Sequence, residues 1–199
     1  LQTPAPAVVD PRGGGVEAWR GWLDRSGDAP GVLRAYPQGG EAKAVSPDSG
    51  WDVTGLALGG DGRHYATTLA GAVRAVAADR SPAWTFSADS ADPAPINAAP
   101  ACSPDRGRLV YGDREGRVRC LDLPFDEEVT GDPALSWEVD TSSGADCGDS
   151  CGIVTQPVVS GGRVFVGTRD GRLLALSLDD GTRLWGHQFA TAPRPPAVG

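Results

Sequence analysis

Gln156-Pro-Val-Val-Ser-Gly-Gly-Arg-Val-Phe-Val-Gly-Thr-Arg-Asp-Gly-Arg-Leu-Leu-Ala-Leu-Ser-Leu-Asp-Asp-Gly-Thr-Arg-Leu-Trp185 is a succession of short apolar runs cut by glycine turns. Gly161-Gly162, Asp170-Gly171 and Asp180-Gly181 supply the positive φ that tight hairpins require. Between them the period is two. In Gly171-Arg-Leu-Leu-Ala-Leu176, Leu173 and Ala175 share one face and Leu174 and Leu176 the other. Both faces are apolar, which is the pattern of strands packed between two neighbouring sheets.

The same pattern recurs upstream. Gly71-Ala-Val-Arg-Ala-Val76 and Gly116-Arg-Val-Arg-Cys-Leu121 precede Gly171 at intervals of 45 and 55 residues. Each copy follows an apolar run (Arg63–Thr68, Arg108–Asp113, Arg163–Thr168) and leads to a tryptophan at Trp84, Trp137 or Trp185. Upstream, Val53-x-x-x-Ala57, Ile96-x-x-x-Pro100 and Ile153-x-x-x-Pro157 stand 18, 20 and 18 residues before the glycine and read as the first strand of each unit. Four antiparallel strands repeated at this period predict an all-β chain built as a β-propeller. The blades span approximately 53–86, 96–139 and 153–189, with the small residues Ala75, Cys120 and Ala175 where sheets approach closely.

Outside the repeats, residues 1–31 read as a Pro/Gly-rich lead, and 32–199 as the propeller. Val32-Leu-Arg-Ala-Tyr36 reads as an outer strand that completes the last blade, and 192–199 repeat the register of Ile153-x-x-x-Pro157 as the start of another blade. Three blades and one further strand make an incomplete ring, since propellers use roughly 4 to 8 blades. The missing blades are expected from a longer parent chain or, secondarily, from a partner protein. The sequence contains no methionine, so Leu1 is expected to be a processed or internal start, and its Pro/Ala-rich opening suits either an exported protein or a fragment.

A net charge of −8, with Lys43 the single lysine, argues against a nucleic-acid partner, because phosphate binding needs clustered basic side chains. No run of about 18 apolar residues is present to span a membrane as a helix.

The Gln156–Trp185 stretch closely resembles the PQQ-like repeat, the blade of quinoprotein dehydrogenases and of the outer-membrane assembly lipoprotein BamB. The unit ending at Trp137 matches well and that ending at Trp84 less so. The resemblance implies four-stranded antiparallel blades and two functional alternatives. One is a non-enzymatic scaffold or protein-binding subunit in the periplasm or outside the cell, with membrane association through a partner or an anchor. The other is the N-terminal part of a quinoprotein dehydrogenase or another propeller enzyme whose active site lies elsewhere. The adjacent-cysteine disulfide and the calcium ligands of the PQQ enzymes have no counterpart here, so neither cofactor nor metal is expected. The Trp51-Asp52 dipeptide does not recur, which disfavours a WD40 repeat.

Candidate chemistry is sparse. Cys147-Gly-Asp-Ser-Cys151 lies in the ten-residue lengthening of the second interval and reads as a local disulfide; a metal site or two reduced thiols are the alternatives. Cys102 and Cys120 fall on the first and third strands of one blade, about 9.5 Å apart and too far to bridge. His64 and His187 read as surface residues without a nucleophile. Asp122, Glu127, Glu128 and Asp132 read as a solvated acidic loop, with a calcium or partner site as the alternative. Gly13-Gly14-Gly15 has no strand-to-helix context for a phosphate loop. No catalytic residue is assigned; Trp84, Trp137, Trp185, Gly71, Gly116 and Gly171 are read as structural.

Overall fold

The computed structural model describes four short strands within the first 50 residues, and residues 53–77, 81–88, 93–103, 107–124, 132–142 and 151–189. Among the described residues sixteen strands form four antiparallel four-stranded sheets, each pairing in chain order. The first contains β1 (Val8–Val9), β2 (Ala18–Gly21), β3 (Leu33–Tyr36) and β4 (Lys43–Ala44). The second contains β5 (Val53–Leu58), β6 (His64–Thr68), β7 (Ala72–Val76) and β8 (Pro82–Ser87). The third contains β9 (Ala101–Ser103), β10 (Arg108–Gly112), β11 (Arg117–Asp122) and β12 (Ala134–Asp140). The fourth contains β13 (Val158–Ser160), β14 (Arg163–Gly167), β15 (Arg172–Ser177) and β16 (Arg183–Gln188).

Neighbouring sheets adjoin along their first strands, β5 to β9 and β9 to β13, as blades do around a propeller axis. The protein is an incomplete β-propeller. Hairpin turns at Gly71, Gly116 and Gly171 have φ of +73°, +88° and +88°, values a side chain rarely tolerates. At Gly116 there is a second constraint: a Cβ would lie 2.7 Å from the Cys151 carbonyl oxygen, so the turn of one blade docks on the segment entering the next.

Two readings of the sequence are corrected. Leu33–Tyr36 does not complete the last blade; it pairs with β2 and β4 inside a sheet of its own. Those strands are two to four residues long, too short for alternation to show. The Ile-x-x-x-Pro segments are likewise not strands. β9 and β13 begin just after Pro100 and Pro157, and Ile96 and Ile153 lie in the crossovers. Their N–H groups reach back to the preceding blade, Ile96 to the Thr68 carbonyl at 3.2 Å and Ile153 to the Asp113 carbonyl at 2.9 Å. Proline lacks the N–H a ladder needs, so regular pairing starts beyond it.

The core lies between blades. Tyr65, Val73, Ala75 and Trp84 pack with Leu109, Tyr111 and Leu121 across one interface. Val110, Val118, Cys120 and Trp137 pack with Val164, Val166, Leu174, Leu176 and Leu178 across the next.

Candidate functional site

Polar side chains cap each inner hairpin in the same way. Thr68, Asp113 and Thr168 stand three residues before the turn glycine and are all buried. Thr68 Oγ1 accepts from Ala72 N and Thr168 Oγ1 from Arg172 N, both at 3.1 Å. Asp113 Oδ1 accepts from Glu115 N at 2.9 Å and Arg117 N at 3.0 Å.

Asp113 also holds Arg119 at 2.6 Å, and Arg119 reaches Glu138 at 2.5 Å from the other side. Asp113 is fully buried and Arg119 nearly so, which makes each dependent on the other for compensation. In the fourth blade Arg172 donates to Asp170 at 2.7 Å, to the Thr141 carbonyl at 2.9 Å and to Cys151 Sγ at 3.5 Å. The first network ties a turn to the outer strand of its own blade, and Arg172 joins its turn to the preceding blade.

A second repeated element links the blades at the start of the second strand. Arg63, Arg108 and Arg163 each stand eight residues before the repeat glycine, a constant offset that the sequence reading did not use. Arg63 Nη1 donates to the Pro124 carbonyl of the next blade at 3.2 Å. Arg108 Nη1 donates to the equivalent carbonyl, Asp179, at 3.1 Å and also to the carbonyl of Leu178. Trp137 Nε1 donates to that same Leu178 carbonyl at 2.9 Å. Its indole covers Gly181, where a Cβ would approach ring carbon Cε3 to 2.7 Å. Trp84 lies in the corresponding core position, stacked at a tilt on Tyr65 with centroids 5.6 Å apart.

The fourth blade presents the same elements with no sheet over them among the described residues. Trp185 is 45% exposed, against 8% for Trp84 and for Trp137. Phe165 lies beside it, with ring centroids 6.0 Å apart, and Arg163 is exposed. The register Val158–Phe165–Ala175–Trp185 lays these residues on the face away from the third blade.

The remaining candidates fall as follows. Cys102 and Cys120 are free thiols, and burial pushes each pKa up to about 12, away from reactivity at neutral pH. Cys151 is fully buried; Cys147 lies outside the described residues. His64 is corrected from surface to interior, at 2% exposure on β6, because it begins a strand sandwiched between sheets; His187 is exposed on β16. Asp122 pairs with Arg108 at 3.2 Å rather than standing in a free acidic loop. Asp132 is exposed, and Glu127 and Glu128 lie outside the described residues, as do Trp51-Asp52, Gly13–Gly15 and 192–199. Among the described residues no group of three or more His, Cys, Asp or Glu side chains is placed to hold a metal ion.

The family model for the outer membrane protein assembly factor BamB matches residues 70–197, well over half of the chain. The chain belongs to this PQQ-like repeat family. BamB of Moraxella catarrhalis is similar over 94% of this chain and 52% of its own, at 19% identity and a TM-score of 0.57. The computationally designed Ika8 protein is similar over 96% of this chain and 52% of its own, at 14% identity and a TM-score of 0.67. The β-propeller domain of Cps50 (Swd1) from Myceliophteria thermophila is similar over 87% of this chain and 56% of its own, at 10% identity and a TM-score of 0.62. At such identities the likeness is one of fold. The PQQ-like chain spans about half the length of these structures. No curated protein matches it significantly.

Proposed function

We propose that the protein is a non-enzymatic propeller scaffold, a protein-binding subunit of an assembly in the cell envelope or outside the cell. The observation that carries this reading is the family match over residues 70–197, described as an outer membrane assembly factor. It is supported by the use made of the buried charged groups. Asp113 and Arg119 hold a turn within one blade and Arg172 joins two blades, which is structural rather than catalytic work.

Within this reading the protein is periplasmic or extracellular, and membrane association comes through a partner. Cys147 pairs with Cys151 to close the insertion ahead of the fourth blade. The pairing is supported by the short spacing of Cys147 and Cys151 and by Cys102 and Cys120 being free. The expected result of cell fractionation with cross-linking is native protein in the envelope fraction, joined to membrane-assembly proteins. Recovery from the cytosol without a partner would overturn the reading. Calcium-dependent PQQ binding by the native protein would replace it with a quinoprotein dehydrogenase. Complete labelling of both Cys147 and Cys151 without reduction would exclude the bridge.

A further inference from the structure

We propose that the outer rim of the propeller is guarded against strand addition by a β-bulge in the outermost strand of each repeat. Among the described residues β8, β12 and β16 each end their sheet and pair on one side only. Their outward N–H and C=O groups form the kind of edge on which a strand of another chain can grow. β8 is the most at risk, because Pro82-Ala-Trp-Thr-Phe-Ser87 carries no charged side chain and its Trp, Thr and Phe favour a strand. The edge is broken at the same place in all three blades. Trp84 stands opposite Ala75 but Pro82 opposite Val76, so Ala83 is an extra residue on the outer strand. Ser136 is the extra residue between Leu135 and Trp137, and Leu184 the one between Arg183 and Trp185.

A bulge bends its strand and adds twist, so an incoming strand cannot keep one register across it. Beyond the extra residue each rim offers four residues in regular register: Trp84–Ser87, Trp137–Asp140 and Trp185–Gln188. In an antiparallel edge only alternate residues turn their N–H outward, which leaves about two such donors per rim. On the other side of the bulge the regular edge is shorter still. It is Pro82, which has no N–H, in β8, Ala134 and Leu135 in β12, and Arg183 in β16. Glu138 and Asp140 on β12 and Arg183 on β16 add exposed charge, a further bar to edge pairing. Because the extra residue stands immediately before the tryptophan, the edge is broken while the indole stays opposite the small residue Ala75, Cys120 or Ala175. The guard follows from strand register and holds whether or not the protein is a scaffold. For the scaffold proposed above it means that partners are not held by strands added at the rim.

Amide hydrogen exchange over Trp84–Ser87 tests this, read in the native protein with and without a synthetic peptide of the β16 sequence, Arg183–Gln188. The positive charge of that peptide suits a protein of net charge −8. The expected result is that the outward amides of the wild type exchange as fast at millimolar peptide as without it. Deletion of the exposed Ala83 straightens the edge of β8 and is expected to let the peptide slow those amides about tenfold. Slowing of the wild-type amides by the peptide would overturn the proposal, as would rim protection that grows with the concentration of the wild-type protein. A deletion variant with unchanged circular dichroism, on which the peptide has no effect, would overturn it too. The wild-type arm needs no variant, so it decides the matter even where the deletion costs the fold. Both arms read the edge of one strand, so either can fail while the location and scaffold role stand, and the reverse.

Discussion

Trp137 and Trp185 lie within the equivalent outer strands of the third and fourth blades, opposite Cys120 and Ala175 respectively, yet one is 8% exposed and the other 45%. Removing the extra exposed part of an indole from water is worth roughly 2 kcal/mol at ~25 cal/mol per Å2. The same contrast holds for Arg108, anchored on the next blade, and Arg163, exposed. Each blade thus supplies half of an interface, and what a repeat residue contributes depends on the sheet placed over it.

The largest way to break the contrast is Trp137→Ala, expected to cost about 3–5 kcal/mol, because it opens a cavity and leaves the Leu178 carbonyl with one partner fewer. Urea unfolding of the native protein measures it; a loss under about 1 kcal/mol would mean that the interface between the third and fourth blades is not packed as described. Asp113→Ala follows, expected to cost about 3 kcal/mol, since it leaves the buried Arg119 with Glu138 as its one remaining carboxylate and removes two turn hydrogen bonds. Its counterpart Thr168→Ala removes the cap on Arg172 N and the hydroxyl bond to Asp170 without taking the countercharge from a buried ion, about 1–2 kcal/mol. Equal losses in the two turns would show that Asp113 is not the anchor of Arg119.

Two glycines sharpen the comparison further. Gly181 and Gly161 both have positive φ, +74° and +57°, but a Cβ at Gly161 meets nothing within 4 Å while one at Gly181 strikes Trp137. Gly161→Ala is expected to cost about 1 kcal/mol of backbone strain, and Gly181→Ala about 2–3 kcal/mol of strain and overpacking. Thermal melts of the two variants decide it, and a reversed order would remove Gly181 from the interface.

The smallest effect is alkaline. Burial raises the thiols of Cys102 and Cys120 from 9.0 to about 12, so the folded chain retains protons that the unfolded chain releases. Their contribution is fully present below about pH 9 and is lost as pH rises toward 12. Burial also raises Tyr65 and Tyr111, so the slope does not rest on cysteine alone. Comparing unfolding free energies at neutral and alkaline pH, the slope should be shallower in Cys120→Ala, which puts the alanine of the fourth blade into the third. An unchanged slope would show that Cys120 does not retain its proton in the fold.

Much of the fold was legible because its signals are local. Gly71, Gly116 and Gly171 mark turns whose φ excludes most other residues, and the runs after them alternate as strands do. The first sheet was not legible, since strands as short as Val8–Val9 carry no period. The arginine link was present as a constant offset, but its partners are backbone carbonyls, which have no residue type to recognise. The caps were hidden by substitution: threonine and aspartate both accept a backbone N–H, so Thr68, Asp113 and Thr168 do not look alike in a sequence.

Sequence by itself determined that the chain is an all-β repeat and where its hairpins turn, because alternation and positive φ are properties of neighbouring residues. Only the tertiary structure decided that Trp137 is a buried donor while Trp185 is exposed, that His64 is interior, and that Asp113 holds Arg119. Those outcomes depend on burial and on oxygen atoms supplied from distant strands, and no spacing along the chain encodes which surface another sheet will cover.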